Sequence, residues 1–146
     1  MYYTGSRPPK LQFTEFTITS VALEDIVAHA REARPAECCG LLLGGGTAVA
    51  ESVRTPNVSD DPNRFLIDPQ AHIAARRAAR DRGLHVLGFY HSHPHSPPVP
   101  SVTDLAEASY PESLSLIVNP ATNPPTIRLF RFVTGSFLEI PFTASR

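Results

Sequence analysis

The chain has 146 residues, 42% of them hydrophobic, and a formal net charge of −1. That length suits one domain around one core, and the near-neutral charge gives no field that would draw in nucleic acid or an anionic membrane. No apolar run of about 18 residues crosses a bilayer, and the start, MYYTGSRPPK, lacks the apolar segment of a secretory signal, so a cytoplasmic location is expected.

Residues 1–12 are polar, hold Pro8 and Pro9, and read as a loose segment ahead of a single domain over 13–146. FTEFTITS (13–20) alternates and predicts a strand. Ser20 is placed to cap a helix over 21–34, with Val21, Ile26, Val27, Ala30 and Ala33 at roughly helical spacing and Pro35 ending it. ECCGLLLGG (37–45) is an apolar run bounded by glycines, a buried strand. Its Cys38 and Cys39 are the chain's two cysteines, and strand neighbours point to opposite faces, so a mutual bond would strain the backbone. They read as small buried side chains, with a reactive or metal-binding thiol as the alternative. AVAESVRTPN (48–57) is the hairpin partner, with Gly44, Gly45 and Gly46 in the turn.

RFLID (64–68) reads as a strand, and Asp68-Pro69 starts a helix over 69–82 that Gly83 ends. Ala71, Ala74, Ala75, Ala78 and Ala79 are expected on one side of it. Arg76, Arg77, Arg80 and Arg82 lie elsewhere, as a solvated face or a surface for an acidic partner. LHVLGFYHS (84–92) is a buried strand, and SVTDLAEAS (101–109) a short helix before Pro111. SLSLIVN (113–119), TIRLFRFV (126–133) and SFLEIPF (136–142) are three more strands, the last two a hairpin around Thr134 and Gly135. This mixture predicts an α/β or α+β domain with helices packed on a sheet.

The chemistry concentrates in HSHPHSPPVPSVTD (91–104). His91 and His93 are two apart at a strand end, so in extended backbone they face the same way, about 6.5–7 Å apart at Cα. Pro94, Pro97, Pro98 and Pro100 restrict the loop and lower the entropy lost in ordering it around an ion. Asp104 could add a carboxylate, and two imidazoles with one carboxylate leave a tetrahedral position open, as at a catalytic zinc. The same residues have plainer uses. Loop histidines are often only polar, and Ser101 with Asp104 three positions on resembles a helix-capping box. His95 is left as a bystander or a support for the ligands. Glu37, at the edge of the apolar strand, is the best candidate to carry a proton, or else a solvated carboxylate. The chain has no P-C-x-x-C, which argues against a zinc nucleobase deaminase.

Glu37 in PAECCGLLLG, then His91-Ser92-His93-Pro94, then Ser101-Val102-Thr103-Asp104, resembles the signature of the JAMM (MPN+) zinc metalloproteases. The likeness runs over about residues 17–133. It implies a curved mixed sheet flanked by helices, similar to the cytidine deaminase architecture. It also implies zinc held by His91, His93 and Asp104, Glu37 as the proton carrier, and Ser101 as a donor to the carbonyl oxygen. The implied substrate is the bond after the C-terminal Gly-Gly of a ubiquitin-like or sulfur-carrier protein, as in the compact prokaryotic members. Rival expectations are an interaction module in which zinc only braces the loop, and a zinc hydrolase of small amides.

Overall fold

The computed structural model describes residues 15–101, 113–133 and 135–146. Strand β1 (Phe16–Thr19) leads into helix α1 (Ser20–Ala33), followed by the hairpin of β2 (Cys39–Gly45) and β3 (Ala48–Thr55). Helix α2 (Pro69–Asp81) precedes β4 (His85–Ser92). The chain closes with β5 (Leu114–Asn119), β6 (Thr126–Val133), β7 (Ser136–Ile140) and β8 (Phe142–Ser145). The eight strands among the described residues form one mixed sheet in the order β7-β6-β5-β4-β2-β3-β1-β8. The pairs β1·β3, β1·β8 and β4·β5 are parallel and the others antiparallel. β7 and β8 stand at opposite ends of that order, yet only Pro141 separates them. One residue reaches about 7 Å between its neighbours' Cα atoms, so the sheet must curl until its two ends meet at that corner. This is the expected curved mixed sheet flanked by helices.

The curl gives the sheet two apolar faces. Phe16, Ile18, Leu42, Val49, Leu116 and Leu129 are among the residues packed with Ile26 and Ala30 of α1. Leu41 and Leu43 of β2 pack on the other face against Ala79 of α2, with Val53, Val86 and Phe89 around them. β2 is therefore buried on both sides, which explains its unbroken apolar run.

Several expectations are corrected at their edges. The cap of α1 is Thr19, whose Oγ1 accepts from the Ala22 N–H at 3.2 Å; Ser20 is the first helical residue. Gly44 and Gly45 belong to β2, and the turn is made at Gly46, with φ 59°. Ala74 and Ala78 are exposed, and α2 turns Ala71, His72, Ala75 and Ala79 inward. RFLID is not a strand: only Ile67 makes an isolated bridge, with Asn57. SFLEIPF is not one strand either, because β8 leaves β7 at Pro141 to pair with β1. Proline has no N–H to continue the ladder. The four arginines are exposed, and Arg82 pairs with Glu51. The expected segment at 1–12 and helix at 101–109 lie, apart from Ser101, outside the described residues.

Candidate active site

The pairing of β2 with β4 decides which side chains meet. Cys39 stands opposite His91 and Gly40 opposite Tyr90. Directly opposed residues share a face, and that of Cys39 and His91 is the α2 face, where Leu41 and Phe89 also point. The ladder continues past the strand ends: the Ser92 N–H donates to the Cys38 carbonyl at 3.1 Å, and the Cys38 N–H to Ser92 Oγ at 2.9 Å. Glu37 precedes Cys39 by two residues, and after burial its charge is one of the influences that raise the Cys39 thiol. The Glu37 backbone is held at both ends: its N–H donates to the Pro62 carbonyl at 2.9 Å, and its carbonyl accepts from Asn57 Nδ2 at 3.0 Å.

His91 and His93 are almost fully buried, 2% and 4% exposed. Their Nε2 atoms lie 3.1 Å apart. Two nitrogens about 2.0–2.1 Å from one ion, at a tetrahedral angle, lie about 3.3–3.4 Å apart, so the pair is close to the spacing a metal requires. A proton on one nitrogen can bridge the same gap when no ion does. His93 Nδ1 lies 2.8 Å from the Pro97 carbonyl. A carbonyl only accepts, so Nδ1 carries the proton and Nε2 keeps its lone pair for a ligand bond. The ring of Phe65 stacks on His91 with centroids 4.3 Å apart and planes 18° apart.

The proline loop is tied at several points. The His93 N–H donates to the Val118 carbonyl at 2.8 Å, and Asn119 Nδ2 to the Ser96 carbonyl at 2.9 Å. His95, set aside on sequence, donates from Nε2 to the Pro35 carbonyl at 3.0 Å and so ties this loop to the turn before Glu37. Ser101 is exposed at the loop's end. Asp104 lies outside the described residues, and among those described no third His, Cys, Asp or Glu joins the two imidazoles in a metal-holding group. Cys38 and Cys39 are free and buried, and burial pushes both thiols up to about 11, so they stay protonated. Sequence reasoning missed Phe65 and Asn57. The signal for Asn57 was its place in PNVSDDPN, where asparagine side chains commonly bond to nearby backbone.

Among the described residues, the curled mixed sheet, one helix on each face and two converging imidazoles at a strand end define an α+β domain with a candidate metal centre. The chain belongs to the family described as prokaryotic homologs of the JAB domain, which matches it over residues 19–133. A desampylase of Haloferax volcanii is 37% identical over 114 residues, covering 73% of this chain and 82% of that protein. A CysO-cysteine peptidase of Mycobacterium tuberculosis is 31% identical over 121 residues, covering 80% and 82%. The solution structure of protein DSY2949 from Desulfitobacterium hafniense superposes with a TM-score of 0.82 at 31% identity, over 90% of this chain and 93% of that one.

Proposed function

We propose that the chain is a zinc-dependent peptidase that hydrolyses the bond after the C-terminal Gly-Gly of a ubiquitin-like or sulfur-carrier protein. The observation that carries this reading is the 3.1 Å approach of His91 Nε2 and His93 Nε2 in a buried setting. His91, His93 and Asp104 would hold the ion, a set of two nitrogens and one carboxylate oxygen that suits zinc. Zinc in such a site supplies a Lewis acid for the scissile carbonyl and lowers the pKa of a water to about 7. Glu37 takes a proton from the attacking water as its oxygen bonds to the carbonyl carbon. It gives that proton to the amine nitrogen as the C–N bond breaks. Ser101 donates its hydroxyl to the carbonyl oxygen as negative charge gathers there. The names of the two enzyme relatives, a desampylase and a CysO-cysteine peptidase, support a carrier-protein conjugate as substrate. A Gly-Gly tail has no side chains to exclude it from a narrow groove, and extended backbone can bind as an added strand. We place the enzyme in the cytoplasm. No helix among the described residues is long and apolar enough to cross a membrane.

The test is cleavage of a carrier–peptide fusion by purified protein. A chelator should abolish it and zinc restore it. Glu37→Gln should bind zinc as before and lose at least about 100-fold in turnover. Undiminished turnover by Glu37→Gln would remove the proton-carrier role. A dipeptide amide cleaved as fast as the fusion would move the substrate class to small amides.

A further inference from the structure

The segment between β3 and α2 is more than a connection. Its two legs are joined by the Val58 N–H to the Leu66 carbonyl at 2.8 Å and the Asp68 N–H to the Pro56 carbonyl at 3.2 Å. Between those bonds sits Asn57, whose side-chain amide makes four contacts. Nδ2 donates to the carbonyls of Glu37 and Arg64, both at 3.0 Å. Oδ1 accepts from the N–H groups of Ser59 at 3.0 Å and Leu66 at 2.9 Å. Two donors and two acceptor sites are all that an amide has, so the group is fully used. The bonds to Arg64 and Leu66 flank Phe65, the residue stacked on His91. The bond to Glu37, with that from the Glu37 N–H to Pro62, fastens the same loop to the entry of β2.

We propose that Asn57 is a positioning residue for the reaction, one amide that sets both halves of the centre. Its donation fixes the backbone of Glu37, and its grip on both sides of Phe65 holds that ring against His91. The inference rests on the roles proposed above for Glu37 and His91. The physical ground is that a proton carrier and a metal ligand must both be held within about 0.5 Å of working geometry. Groups behind a metal's ligands commonly govern affinity or activity by about 10- to 100-fold. Aspartate would keep the two acceptor bonds and lose both donations. It would also set a carboxylate oxygen against the Glu37 carbonyl.

The test compares the full chain with Asn57→Asp, Asn57→Ala, Phe65→Leu and Glu37→Gln. The measurements are zinc affinity by competition with a chromogenic chelator, kcat and KM on the carrier fusion, and melting temperature. Asn57→Asp should lose about tenfold or more in kcat, with KM unchanged within about twofold and a smaller loss of zinc affinity than Phe65→Leu, because the Leu66 bond still holds one side of Phe65. Phe65→Leu should lose about tenfold in zinc affinity. Asn57→Ala should show both losses. Simple destabilisation would instead lower every quantity in step with the unfolded fraction. Wild-type kcat in folded Asn57→Asp, or wild-type zinc affinity in Phe65→Leu, would overturn the proposal. Should Asn57→Asp not fold, Asn57→Ala decides: wild-type kcat and zinc affinity in that folded variant would overturn the proposal. An inactive Glu37→Gln beside a fully active Asn57→Asp removes only the Asn57 role. A fully active Glu37→Gln removes the reading beneath it.

Discussion

Gly40 shows how little room the strand behind the site has. A Cβ placed there would lie 2.2 Å from Tyr90 Cε2 and 2.3 Å from the Val53 carbonyl oxygen. The ring of Tyr90, fully buried, fills that space, and its hydroxyl lies 2.7 Å from His29 Nδ1. Because one of the clashing atoms is backbone, Gly40→Ala should cost about 2–3 kcal/mol and lower Tm by about 5–10 °C. Gly45→Ala, with nothing within 4 Å of its Cβ, should leave Tm nearly unchanged in the same melt. At this scale the sequence was most readable where chemistry fixes spacing. His91 and His93 were placed together by strand alternation alone, and the structure brings their Nε2 atoms into contact. Glu37 required more, since where the entry of β2 lies relative to the end of β4 depends on their register, which no local pattern states. The stacking of Phe65 on His91 joins residues 26 positions apart (91 − 65), and periodicity has no way to announce it.

At the scale of elements, α1 begins where Thr19 rather than Ser20 closes the first turn. Thr19 Oγ1 also donates to the Ala50 carbonyl at 2.8 Å, so one hydroxyl caps a helix and ties β1 to β3. Thr19→Ala should therefore cost about 1–2 kcal/mol, a drop of about 2–6 °C in Tm, and Thr19→Ser should restore most of it. An unshifted melt for Thr19→Ala would remove the cap from the list of stabilising contacts. Helices and central strands were legible because their apolar spacing matches a face that is buried. RFLID was not. Its short apolar run, Phe65-Leu66-Ile67, is strand-like, but Asn57 takes the Arg64 carbonyl and the Leu66 N–H for its own side chain, bonds that a ladder would otherwise use. β8 was missed because its pairing is with β1, at the far end of the chain, and an edge strand of four residues carries little pattern.

The whole molecule responds to pH through groups buried in the folded state. Burial first, and the Arg54 guanidinium second, hold His29 below its ordinary 6.5, with Glu32 opposing. The unfolded chain then takes up a proton before the folded one, so stability falls as pH drops below about 6.5. On the alkaline side Cys38 and Cys39 are raised from 9.0 to about 11, and burial pushes Tyr90 up as well. There the unfolded chain ionises first, and stability present below about pH 9 is lost as pH rises towards 11. Urea midpoints should thus peak between about pH 6.5 and 9, and His29→Gln should flatten the acid limb. Midpoints independent of pH across both limits would contradict this burial pattern.

The corner at Pro141 has a further consequence for how the molecule is made. β1 has β3 as one neighbour early in synthesis, but its second neighbour, β8, is the last strand in the order of the chain. On the ribosome the imidazole pair, the entry of β2 and the loop that braces them can all assemble while β1 still shows a bare flank to solvent. The final seam is zipped only after Phe142–Ser145 has left the exit tunnel. Until then β1 has a partner on one side alone.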